Sequence, residues 1–193
     1  MQMGYYVDWA SVAGLDKDEV LRRLNLVDTG EEQDWPDRKG CVWGVDRDGR
    51  VTVITDDYGS FTPDRLAMLS QGASLVGGSA ESNACTCSVW GYIDGARRWA
   101  VAVGENTTDD PLAAFTAEGD LPSEYGPLYE DALRRLEADP DTAFIEEVPL
   151  DLAAAVGAWR PEGSDEPRLF RAVRRQPDVL AQGRKRWFQF FRS

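Results

Sequence analysis

The sequence predicts an α+β domain: an antiparallel-dominated sheet of about five to six strands, with helices packed mainly on one face. Three observations carry this. Asp46-Arg47-Asp48-Gly49 and Asp94-Gly95 each join two β-prone runs, the mark of a tight hairpin. Short, well-capped helical segments lie between the hairpins. The regular strand–helix alternation of a parallel, doubly wound sheet is missing.

The elements follow in order. Tyr5 to Val12 is aromatic and β-branched enough for a strand. Asp16 then caps a helix, with Glu19 three residues on closing a capping box and Val20, Leu21 and Leu24 giving an apolar face. Thr29 to Gly40 is acidic around Trp35-Pro36 and reads as a loop. Cys41 to Val45 and Val51 to Thr55 form the first hairpin. Thr62-Pro63 opens a helix in the favoured cap-then-proline order, and Gln71-Gly72 ends it. Ala73 to Gly77 is a short strand. Ala84 to Ile93 and Arg97 to Val103 form the second hairpin, with Trp99, Val101 and Val103 on one face. Pro122-Ser123 opens a helix to about Ala138, with Leu128, Ala132, Leu133 and Leu136 as its stripe. Phe144 to Val148 is a short apolar stretch, and Pro149 to Val156 is a helix closed by Gly157. Residues 160–167 read as a linker.

Composition excludes several function classes. The chain has 193 residues, 42% hydrophobic and 28% charged, enough to bury a core without a metal or disulfide staple. It has no histidine, which removes the Ser-His-Asp triad, the Cys-His dyad and histidine metal ligands together. Three cysteines are an odd number and do not form a secreted disulfide framework, so a cytoplasmic location is expected. Neither a signal peptide nor a membrane span is visible. The net charge is -13, opposite in sign to a protein that coats nucleic acid or an anionic membrane.

That charge is unevenly spread. Residues 160–193 hold nine bases and four acids, net +5, which leaves -18 on residues 1–159. The expected organisation is therefore an α+β domain over 1–159 and a basic, aromatic extension over 160–193 docked on it. Trp187, Phe188, Phe190 and Phe191 are expected to bury against the domain.

Candidate chemistry is sparse. Asp46-Arg47-Asp48-Gly49 fails as a calcium loop, because the twelfth position is Thr55 where a bidentate Glu is needed. Gly77-Gly78-Ser79-Ala80-Glu81 lacks the last glycine of a nucleophile elbow, has no histidine base, and reads as a loop. Cys85 and Cys87, with only distant Cys41, are a poor zinc set and read as small core residues of a strand. No cofactor motif, catalytic constellation or metal site is expected. Carboxylate pairs are frequent, as 34 acids would give by chance. Glu31, Glu32, Asp34, Trp35 and Asp37 form the best partner-binding candidate, an acidic cluster around an aromatic; Asp56, Asp57 and Tyr58 form the second.

Two segments carry a family resemblance. Gly14-Leu15-Asp16-Lys17-Asp18-Glu19-Val20-Leu21-Arg22-Arg23-Leu24 and Leu66-Ala67-Met68-Leu69-Ser70-Gln71-Gly72 resemble the opening helix and a later helix end of small uncharacterised actinobacterial domains. The likeness covers about residues 5–105. Such domains are similar in character to immunity proteins of bacterial toxin systems. The resemblance implies a non-enzymatic cytoplasmic protein that neutralises a basic toxin domain through acidic loops. The alternative is a histidine-free, metal- or carboxylate-dependent hydrolase. A pocket with converging acids would favour the enzyme, and a flat or convex acidic face the binder.

Overall fold

The computed structural model describes residues 6–33, 40–45, 48–57, 59–82, 84–105, 110, 112–139, 144–161 and 168–174. The chain opens with strand β1 (Tyr6–Ala13) and helix α1 (Lys17–Arg23), followed by β2 (Leu26–Gln33), β3 (Cys41–Val45) and β4 (Val51–Thr55). Helix α2 (Pro63–Leu69) leads to β5 (Ser74–Glu81), β6 (Thr86–Ile93), β7 (Ala96–Val103) and β8 (Phe115–Gly119). Helices α3 (Tyr125–Ala138) and α4 (Phe144–Ala155) precede β9 (Leu169–Arg174).

The strands form one sheet in the order β2-β9-β3-β4-β1-β5-β6-β7-β8. Every pairing is antiparallel. The α+β class holds, and the expected count of five to six strands is corrected to nine. The additional strands are β2, β8 and β9. β2 and β8 are mostly exposed and so lack the apolar alternation that marks a half-buried strand.

The expectation of helices mainly on one face is also corrected. Residues of β1 from Val7 to Val12 are buried in succession, so both faces of this central strand need cover. On the first face Val7, Trp9, Val42, Ile54, Val89 and Val101 pack with Leu152 and Ala153 of α4 and with Trp159. On the second face Ala10, Val12, Trp43, Val53 and Leu75 pack with Val20 and Leu21 of α1 and Leu66 and Leu69 of α2.

Two glycines make room for tryptophans on the first face. A Cβ at Gly78 would lie 2.3 Å from the Trp9 ring, and one at Gly91 would lie 2.1 Å from Trp99 Nε1. Gly77 to Glu81, expected to be a loop, is thus the second half of β5 and bears its tightest packing. Trp9 meets Trp159 edge-on at 5.7 Å between centroids, and the main-chain N–H of Trp159 donates to Ser11 Oγ at 3.1 Å.

The acidic stretch from Thr29, expected to be a loop, is in β2 as far as Gln33. Helix α4 runs unbroken through Pro149, so the apolar stretch and the later helix are one element. Cys87 is in the first-face core, but Cys85 is exposed just before β6 and not beside it on a strand face. The segment assigned to the basic extension supplies β9, hydrogen-bonded to β2 on one side and β3 on the other. The aromatics Trp187, Phe188, Phe190 and Phe191 lie outside the described residues. Among the described residues no helix is long and apolar enough to cross a membrane.

Candidate functional site

The acidic candidates fall in two places. Glu31 and Glu32 lie on β2, at one edge of the sheet. Arg171 of β9 donates to Glu31 at 3.2 Å, and Arg168 grips Glu32 with two nitrogens. The hydrogen-bonded Arg168 holds the Glu32 carboxyl below its usual range. Both acids are exposed, and such ion pairs contribute at most about 1 kcal/mol each. A cation from another molecule can therefore exchange with either arginine at little cost.

The Arg168–Glu32 pair belongs to a stack on the second face, whereas Arg171 alternates onto the first. Arg168 sits over the Phe170 ring at 5.4 Å, Phe170 stacks on Trp43 at 5.1 Å, and Lys17 sits over Trp43 at 4.9 Å. Lys17 Nζ also reaches Asp28 at 3.3 Å. Burial alone would raise the Asp28 carboxyl, but the Gly30 N–H and Lys17 together bring it below its usual value. The sequence signal for this stack was slight, because its members are scattered from residue 17 to residue 170.

Asp56 and Asp57 follow β4, three strand positions from β2 and so about 14 Å away across the sheet. Gly40 N donates to Asp56 Oδ1 at 3.0 Å, and Asp57 N to Thr55 Oγ1 at 3.1 Å. The two clusters are not one patch among the described residues. Asp34, Trp35, Asp37 and Tyr58 lie outside the described residues.

Asp57 lines a cavity of about 300 Å³ on the second face. Its apolar wall includes Leu26, Phe61 and Ala172, and its charged groups are Asp57, Arg65 and Arg174. The turn beside it is held by a residue that the sequence reading passed over. Asp8, in the central strand and only 2% exposed, accepts from Ser60 N at 2.8 Å and more weakly from Phe61 N at 3.4 Å. Tyr6 Oη–H donates to its other oxygen, and Gly59 N donates to Tyr6 Oη at 3.3 Å. Burial raises the Asp8 carboxyl, opposed in part by these hydrogen bonds. The signal was an acid in the middle of a strand whose other residues are all uncharged.

Chemically, the cavity joins one carboxylate to two guanidiniums. Paired carboxylates for acid–base work would need a second acid across the cleft. Among the described residues no group of three or more Cys, Asp or Glu is placed to hold a metal ion. The Cys87 thiol is buried, which pushes its ionisation far up and leaves it inert as a nucleophile. No family model matches the chain, and no curated protein or solved structure matches it.

Proposed function

We propose that this chain is a non-enzymatic binding protein, most concretely an immunity-type inhibitor that neutralises a basic toxin domain. One observation carries this. The described candidate acids Glu31, Glu32 and Asp56 are dispersed over exposed surface, while the fourth, Asp57, is the one carboxylate lining the cavity and faces two arginines there rather than a second acid. Dispersed exposed acids on a chain of net charge -13 steer a basic partner and speed its association. A histidine-free hydrolase would instead use carboxylates converging in a cleft, with burial separating their acid strengths.

The test is co-expression with the polypeptide encoded beside this chain. The expected outcome is a stable complex and relief of that polypeptide's toxicity. The association rate should fall by tenfold or more between low and physiological salt. Failure to bind, or turnover of an ester or glycoside by the purified chain, would overturn it.

A further inference from the structure

The two edges of the sheet differ. At the β2 edge the register against β9 shifts between Asp28 and Glu32. Gly30 there has φ +72°, and its N–H is taken by Asp28 Oδ1 at 2.9 Å. Thr29 Oγ1 accepts from Glu31 N at 3.3 Å. A kinked edge with its donors occupied is a poor template for another strand.

The β8 edge is regular. Five consecutive residues pair with β7 without a shift, from Val103 opposite Phe115 to Trp99 opposite Gly119. Gly104 N donates to Ala114 O at 2.9 Å, and Asp120 N to Arg98 O at 2.8 Å. Alternation in an antiparallel ladder then turns the main-chain groups of Thr116 and Glu118 toward β7 and those of Phe115, Ala117 and Gly119 outward. Phe115 N donates to Leu112 O at 3.1 Å, and Gly119 O accepts from Leu121 N at 3.0 Å. Among the described residues, four groups remain along the outer edge: the Phe115 carbonyl, both groups of Ala117 and the Gly119 N–H. Their order is acceptor, donor, acceptor, donor, which matches five residues of an incoming antiparallel strand.

The surroundings select the occupant. Thr116, Ala117, Glu118 and Gly119 are all exposed, and none is a proline or a lysine that would block the edge. Glu118 projects from one face of β8, where Arg97 of β7 pairs with it at 3.2 Å in an exposed ion pair that an incoming cation can replace at little cost, and Asp120 and Glu124 are exposed just beyond the strand's end. On the other face half-buried Phe115 stacks on Tyr129 at 5.2 Å, and Tyr129 on Tyr125 at 5.6 Å. A second copy of the chain suits the edge badly. Two β8 strands paired about Ala117 would place both Glu118 carboxylates on one face, between two chains each of charge -13.

We infer that the outer edge of β8 accepts an extended, basic segment of a protein partner as a tenth strand. Alternate side chains of that segment meet Glu118 and the aromatic side. This rests on the protein-binding role proposed above and adds to it a surface and a partner chemistry.

The probe is a capped octapeptide, acetyl-(Lys-Val)4-amide, with amide hydrogen exchange as the readout. Exchange at Ala117 and Gly119 should slow at least tenfold on saturation. Ala117→Pro removes an N–H that faces away from β7, and should abolish the protection while the variant melts like the parent. Glu118→Lys, an exposed change that keeps the main-chain ladder to β7 and loses the Arg97 ion pair, should weaken the peptide at least fivefold. So should N-methylation of the peptide valines, which keeps every charge. Arg97→Ala, which loses the same ion pair but keeps the carboxylate, should not weaken the peptide. Protection confined to β2, or no protection at all, would overturn the proposal. So would concentration-dependent dimerisation lost in Ala117→Pro. If the co-expressed partner binds Ala117→Pro as tightly as the parent, this edge is wrong and the binding role stands. If no partner binds while the peptide protects β8, the binding role falls and the edge stands.

Discussion

At the scale of single residues, Asp8 decides the most. Its carboxylate lies in the central strand and ties Ser60 and Phe61 to β1, so the turn beside the cavity keeps its shape. Asp8→Ala leaves those N–H groups without an acceptor and should cost about 1–3 kcal/mol, read by chemical denaturation. The pH dependence has a definite sign. Burial raises the folded-state value above the unfolded one, so between the two the folded chain binds more protons. The Asp8 contribution to stability therefore weakens as pH rises from the usual aspartate value through the raised one. Asp8→Asn keeps one acceptor oxygen and removes this titration. The stability difference between parent and Asp8→Asn should shift in the parent's favour as pH falls through that window. A difference that stays flat, or moves the other way, would contradict a buried, destabilised carboxylate.

At the scale of elements, α1 and α2 share a core and are also joined by one polar side chain. Helix α2 has no basic residue in its last turn. Arg23 of α1 supplies the cation from outside, donating to Leu69 O at 3.0 Å and Gln71 O at 2.7 Å. Glu19 orients Arg23 at 2.7 Å and pairs with Arg22 as well, and these hydrogen bonds lower its carboxyl to about 2. Arg23→Ala should lose about 1–3 kcal/mol. For a chain this long that is a fall in melting temperature of roughly 2–4 °C per kcal/mol. A lowered carboxyl contributes stability above its unfolded value that is lost as pH falls toward the folded one. Glu19→Gln should therefore flatten the loss of stability between about pH 4.5 and 2. The elements legible in the sequence are those with local signatures: Asp16 and Thr62 as caps, and the turns at Asp48-Gly49 and Asp94-Gly95. β2 was hidden because Glu31 and Glu32 find their partners on β9 and the residue just before it, nearly 140 residues away, and no local pattern records that. Helix α4 was split because a proline at its sixth residue usually ends a helix. The site was less legible than the fold. Asp57 was named, but Arg65, Arg174 and Asp8 join it only through tertiary contact.

At the scale of the whole molecule, β9 closes the structure. It lies between β2 and β3, whose residues precede it by more than 120 positions. Leu169 enters the core of the first face, while Ala172 and Phe170 enter that of the second. Without β9, β2 has no partner strand and β3 becomes a bare edge, with Val42 and Trp43 beside it. Each large apolar side chain uncovered costs about 1.5–3 kcal/mol, and three or four of them approach the total stability of a typical domain, roughly 5–15 kcal/mol. Deleting residues 168–193 should therefore abolish the cooperative thermal transition, expose a dye-binding apolar surface and promote aggregation through the open β3 edge. A chain ending at Arg174 retains every β9 pairing and should keep a single sharp transition. A deletion of residues 168–193 that still melted cooperatively near the parent temperature would mean that β9 is an appendage, with the sheet complete at β3. The acids of β2 would then have no fixed partners, and the ion pairs of Glu31 and Glu32 with β9 could not set how that edge meets another protein.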